Sequence, residues 1–232
     1  MGRGAFAATA SRVFFCSGRP RHLAVEPGSG IAVQDQTLSS YAYNILLNGK
    51  PKCLNMPKRL GEKEIFKSRI FTIKEAELEF ASGRKVKHEF LDLGDSVMVV
   101  PIAEDGTLLL INEYHTAINE FQLGLCKGAL HKGEDPRERA NTELQEEVGH
   151  KAQKLDELIV LNAFPGYQTN KTFVYLARDL VKSKLAGDVD EEELEVFPYP
   201  FLDFEKLIED GRLKEARAIA ALYLAKKFLN NS

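Results

Sequence analysis

Residues 128–150 read GALHKGEDPRERANTELQEEVGH, and three glutamates, Glu143, Glu146 and Glu147, crowd the C-terminal half of that stretch. At 3.6 residues per turn they share one edge of a helix, with Glu143 and Glu147 a single turn apart. Three carboxylates that close repel one another and stay ionised only when cations are near. Hard oxygen ligands projecting from one helix edge suit Mg²⁺ or Mn²⁺, which keep part of their water shell and take phosphate oxygens in the open positions. The plain alternative is an acidic helix face turned to solvent, which is what such a pattern most often is when it stands alone.

The local sequence is written for the helix that must carry them. Asp135 is an N-cap residue, Pro136 is preset for the first turn, Glu138 stands at the third position of a capping box, and Gly149 suits a left-handed C-terminal stop. The spacing predicts a helix over 136–148. Ala140, Leu144 and Val148 stack on one stripe and the glutamates on the neighbouring one, so Leu144 faces a core and the glutamates face a cavity or water.

The segment resembles the Nudix box, which runs Gly, five residues, Glu, seven residues, then Arg-Glu-apolar-any-Glu-Glu-any-Gly-apolar. Gly128, Glu134, Glu143, Leu144, Glu146, Glu147 and Gly149 fall on its positions; Thr142 stands where the pattern has Arg, and His150 where it has an apolar residue. From about Pro57 to Leu229 the chain is also similar to ADP compounds hydrolases of the NudE type and to ADP-ribose pyrophosphatases. The stretches that carry this are SRIFTIKEAELEFASG, VMVVPIAEDGTLLLINEY, LGLCKGALHKGEDP and EARAIAALYLAKKFL.

The resemblance implies a Nudix fold and divalent-metal-dependent attack of water on a diphosphate joining AMP to a second group, as in ADP-ribose, NADH or diadenosine polyphosphates. Carried over, Glu143 and Glu147 are the main metal ligands, Glu146 an auxiliary one, and the Lys127 carbonyl before Gly128 a further one. Mg²⁺ or Mn²⁺ bound there would bridge the diphosphate and lower the pKa of the attacking water. Glu134 orders the loop entering the helix rather than touching metal. The general base comes from the acidic segment 187–195, GDVDEEELE, with Glu191, Glu192 and Glu193 as candidates and Glu192 the representative choice; the alternative for that segment is a solvated charge run. Members of this subgroup are commonly homodimers whose N-terminal strands help build the partner's site.

Three positions depart from the family. Asn112 replaces an arginine before a Glu-Tyr pair, Gln122 replaces an acid two residues before Gly124, and Thr142 replaces the box arginine. An arginine at 142 would pair with the box carboxylates and orient them. Its loss is expected to reduce activity and Thr142→Arg to raise it, with Arg139, one turn before Glu143, as a substitute counter-charge. The same departures support a competing reading, a catalytically weakened Nudix domain that binds a nucleotide or a partner. Keeping three mutually repelling carboxylates together argues for the hydrolase.

For the rest of the substrate, Tyr114, Phe121 and Tyr167 could stack on a purine or fill the core, and Lys127, Lys132 or Arg69 could meet phosphates or simply lie at the surface. Cys126 has no base-plus-orienter set and is not a nucleophile; His131 and His150 read as exposed polar residues.

Around this segment the chain reads as α/β. Strands are expected at Ile65–Ile73, Ala76–Phe80 and Lys85–Leu91 as an N-terminal antiparallel meander with a Ser82-Gly83 turn, then at Val97–Ile102, Thr107–Ile111, Leu158–Ala163 and Thr172–Leu176. Further helices are expected at Asp203–Glu209 and Leu213–Leu229, the latter with Ala216, Ile219, Ala220, Tyr223 and Leu224 as its apolar stripe. The architecture is a mixed sheet sandwiched between helices.

The 232 residues carry 31 basic and 34 acidic side chains, a net charge of −3, which lacks the basic excess a nucleic-acid binder needs. No apolar run approaches a membrane span. Cys16, Cys53 and Cys126 give neither a disulfide framework nor zinc spacing, which points to a reducing compartment. Residues 1–55, with six basic and two acidic residues, are expected to be a disordered or targeting-like extension, and 56–232 a Nudix hydrolase domain. The expected location is cytoplasmic, or mitochondrial or plastid if residues 1–25 act as a transit peptide.

Overall fold

A computed structural model describes residues 56–186 and 194–231. The extension 1–55 and the candidate bases Glu191, Glu192 and Glu193 lie outside the described residues. Strands β1 (Lys58–Lys67), β2 (Thr72–Glu79) and β3 (Lys85–Asp92) form the antiparallel meander in the order β1-β2-β3. The expected strand over 65–73 is broken in two. Ser68 caps a tight turn there, its hydroxyl accepting from the backbone N–H of Ile70 and Phe71 and donating to the Phe71 carbonyl.

The body holds two further sheets. β4 (Ser96–Pro101), β7 (Cys126–Ala129), β8 (His150–Leu161) and β9 (Thr172–Lys182) lie in the order β7-β4-β9-β8, and β10 (Glu195–Pro200), β5 (Thr107–His115) and β6 (Glu120–Gly124) in the order β10-β5-β6. β4 and β9 pair in parallel while their outer neighbours are antiparallel, so the sheet is mixed as expected. β6, β7 and β10 were not legible: at four to six residues each, they are too short to display a period.

Alternation along β4 feeds two cores, one on each face of its sheet. Val97 and Val99 join Ala140 and Leu144 of helix α1 (Pro136–Glu147) and its C-cap Val148, while Met98 and Val100 join Phe204 and Leu207 of α2 (Phe204–Glu209) and Ala218, Ala221, Leu222 and Ala225 of α3 (Ala216–Asn230). Each fully buried aliphatic side chain contributes about 1.5–3 kcal/mol of transfer free energy. The buried stripe of α3 is therefore not the expected one. Tyr223 is 47% exposed, and the three alanines face inward, because small side chains let this helix sit close to the sheet. Leu213 belongs to the preceding loop, where it is buried and bridges to Leu123. Among the described residues no helix is long and apolar enough to cross a membrane.

Candidate active site

α1 starts where the sequence indicated. The Asp135 carboxylate accepts from the N–H groups of Arg137 at 2.9 Å and Glu138 at 3.0 Å, and Gly149 ends the helix at φ +74°. Ahead of it, Glu134 accepts from the His131 N–H at 2.8 Å, the loop-ordering contact expected of it. The helix packs against β7 and β4 through Ala140, Leu144 and Val148.

The glutamates adjoin this apolar stripe, but two of the three are not turned to water. Glu143 is 2% exposed and Glu147 9%. The Glu143 carboxylate lies directly over the α-carbon of Gly128, so close that any side chain at 128 would overlap it. Glu147 accepts from the Lys127 N–H at 3.0 Å. The two carboxylates thus bracket the Lys127–Gly128 peptide of β7, one on each residue. Glu146 is half-buried.

Cations meet this acid from two sides. The Arg139 guanidinium is in ion-pair contact with Glu143 and lies 3.7 Å from Glu146. The Lys127 ammonium pairs with Glu113 on β5, and Glu113 lies 3.9 Å from His115 Nε2. Thr142, at the pattern's arginine position, turns its hydroxyl back to the Glu138 carbonyl at 3.1 Å.

Burial pushes the Glu143 carboxyl up to about 8, against the attraction of Arg139 and with the charges of Glu147 and Glu146 adding to the rise. Burial likewise pushes Glu147 up to about 7, opposed chiefly by the charge and N–H of Lys127. The Cys126 thiol, buried beside Glu147, is driven well above its ordinary value by desolvation and by that carboxylate, so it is an inert core thiol.

Among the described residues no three acidic, histidine or cysteine side chains converge as a ready-made metal cluster. Arg139 contacts Glu143 and lies near Glu146, while the Lys127 N–H holds Glu147. The donor set nevertheless fits a divalent cation. Glu143 Oε1 is buried and accepts no hydrogen bond despite its contact with Arg139. Burial alone works against the charges that a cation would restore.

The end of α1 is closed by the segment that follows β9. Lys184 donates to the Glu146 carbonyl at 2.6 Å, Ser183 to the Gln145 side chain at 2.8 Å, and the Leu185 N–H to the Gln145 carbonyl at 3.3 Å. No basic residue stands in the last turn of the helix itself, so Lys184 supplies the cation that its dipole favours. Neither Lys184 nor Glu113 could be singled out from sequence, since Glu113 reaches the site through the register of β5 and Lys184 through the segment that leaves β9.

The other candidates scatter. Tyr114, Phe121 and Tyr167 are exposed rather than core aromatics, the Tyr114 and Phe121 rings meeting at a tilt and Tyr167 stacking on Phe164. Arg69, Lys132 and His131 are exposed, whereas His150 is half-buried with its ring against the Val148 carbonyl at 3.0 Å. Asn112 and Gln122, two of the departures, both line a shallow cleft of about 450 Å³ with Phe121, Phe197, Glu195 and Arg212.

Comparisons with known proteins bear on the whole. The NUDIX domain model matches residues 92–222. The chain is 37% identical to the ADP compounds hydrolase NudE of Escherichia coli (strain K12), over 77% of this chain and 96% of that protein. It is 27% identical to the ADP-ribose pyrophosphatase of Bacillus subtilis (strain 168), over 73% and 93%. A crystal structure of an ADP compounds hydrolase superposes with a TM-score of 0.71 at 35% identity, covering 78% of this chain and 98% of that one.

Proposed function

Because the chain belongs to the Nudix family, we propose that it hydrolyses the diphosphate bond of ADP-linked compounds such as ADP-ribose, NADH or diadenosine polyphosphates, releasing AMP. The single observation that carries this reading is the pair of buried carboxylates, Glu143 and Glu147, bracketing the Lys127–Gly128 peptide. A solvated acidic face would leave them in water, and a binding module has no use for two buried acids held against their own desolvation.

In this reading Glu143 and Glu147 hold Mg²⁺, or Mn²⁺ in its place, with Glu146 and the Lys127 carbonyl as further ligands. When bound, the ion supplies charge neutralisation along the diphosphate and lowers the pKa of the attacking water. The chain's own residues position everything else. Gly128 leaves room for the Glu143 carboxylate, Lys127 orients Glu147 through its N–H, and Lys184 ties the chain just ahead of the acidic segment to the helix end. Glu192, or its neighbour Glu191 or Glu193, takes the proton from water as general base.

The same reading includes a homodimer. Ile65, Phe66 and Ile70 on the meander and its turn are exposed apolar side chains that a second copy would cover. Light scattering on the full chain measures this.

The test of the activity is direct. The full chain is incubated with Mg²⁺ and ADP-ribose, NADH or diadenosine triphosphate, and AMP is measured beside Glu147→Gln. AMP from at least one substrate, abolished in the variant and by chelation, is expected. No AMP from any of them overturns the proposal.

A further inference from the structure

We infer that Arg139 is the positioning residue for the acidic edge of α1, supplying from one turn earlier the counter-charge that the Nudix pattern places at 142. The inference rests on the metal-dependent reading of the site given above.

Four observations carry it. Position 142 is a threonine whose hydroxyl is spent on the Glu138 carbonyl, so it offers the glutamates nothing. Arg139 stands four residues before Glu143, where side chains on a helix meet, and its guanidinium contacts Glu143 with one end while the other lies 3.7 Å from Glu146. The arginine side chain is itself only 17% exposed and that of Glu146 16%, so the pairing is shielded from solvent rather than a loose surface bridge. Its planar fork spans two carboxylates at once, which a lysine cannot do.

The placement also shifts which acid is served first. An arginine at 142 would lie one turn from Glu146 and about 100° around the helix from Glu143. From 139 the cation sits on Glu143, the more buried of the two. With Arg139 in place, Thr142→Arg adds a second guanidinium beside Glu146 and is expected to alter cation affinity by less than about threefold, against the gain expected from sequence alone.

The measurement is Mn²⁺ binding by calorimetry without substrate, on the full chain carrying Arg139→Ala, Arg139→Lys, Thr142→Arg and the double change Arg139→Ala/Thr142→Arg. Arg139→Ala should weaken Mn²⁺ binding by about 10–100-fold, the range for residues that orient metal ligands. Arg139→Lys should fall between, since it keeps the charge and loses the fork. It also serves as the readout should the alanine variant fail to fold. The double variant should recover most of the affinity, which a merely structural role for Arg139 would not allow. Unchanged or tighter Mn²⁺ binding in Arg139→Ala and Arg139→Lys overturns the inference, because the guanidinium would then be a bystander or a competitor for the site. The hydrolysis assay stands apart: a chain that binds Mn²⁺ in this order but releases no AMP sinks the proposed activity and leaves Arg139's role intact.

Discussion

The Lys127 N–H points at the Glu147 carboxylate from 3.0 Å, joining strand β7 to helix α1 across twenty positions of chain. One residue therefore has two duties: its backbone orients a buried acid, and its ammonium pairs with Glu113 on the neighbouring sheet.

Replacing Glu147 with glutamine keeps an oxygen for the Lys127 N–H and removes the charge. Turnover should drop by at least about 100-fold, the upper end of what losing a ligand's orienting partner costs. The melting temperature without metal should hold or rise, since a neutral amide is cheaper to bury than a carboxylate. Kinetics and a thermal melt on one preparation check both.

Gly128→Ala puts a methyl group where the Glu143 carboxylate lies. The side chain must move, at a cost of about 1–3 kcal/mol typical of overpacking. Activity should fall with stability, and chemical denaturation beside an AMP assay reads the two together.

Without metal, the folded protein holds protons on Glu143 up to about pH 8 and on Glu147 up to about pH 7, while the unfolded chain releases them near the ordinary 4.5. Between those limits the native state binds more protons, so stability falls as pH rises, by an amount on the order of a few kcal/mol across the window. Melts in chelator should therefore run lower at pH 8 than at pH 5.5, and Mg²⁺ should restore the loss at pH 8. The slope should flatten in Glu143→Gln/Glu147→Gln. A wild-type melting temperature that climbs with pH in chelator would contradict this account.

Asp135→Ala removes two charge-assisted bonds to the first turn of α1. A loss of about 1 kcal/mol is expected, with turnover per folded molecule nearly unchanged, because the cap lies two turns from Glu143. Urea titration and active-site-normalised kinetics separate these.

What could be read in advance was whatever a short window of chain specifies. The cap at Asp135, the stop at Gly149 and the Ala140, Leu144, Val148 stripe are all local, and helix α1 came out as its residues dictated. The burial of Glu143 and Glu147 was not legible, because periodicity assigns acids to the wet side and the strand that covers them lies fifteen or more residues upstream. The inward face of α3 was misjudged for a related reason: Tyr223 and Leu224 outweigh Ala218, Ala221 and Ala225 on any hydrophobicity scale, yet close approach to the sheet selects the small residues. Tyr114 and Phe121 could fill the core or stack on a purine by sequence; they pair with each other on β5 and β6 beyond the part of β5 that β10 covers, and both are exposed.

The clasp that Ser183, Lys184 and Leu185 form on the end of α1 has a bearing on how the protein is made. A ribosome delivers the acidic helix first and the residue that caps it thirty-eight positions later. Until that stretch has emerged, the last turn of α1 lacks the cation that Lys184 supplies. Nascent chains arrested before Lys184 would thus carry every acidic ligand on a helix whose end is still open.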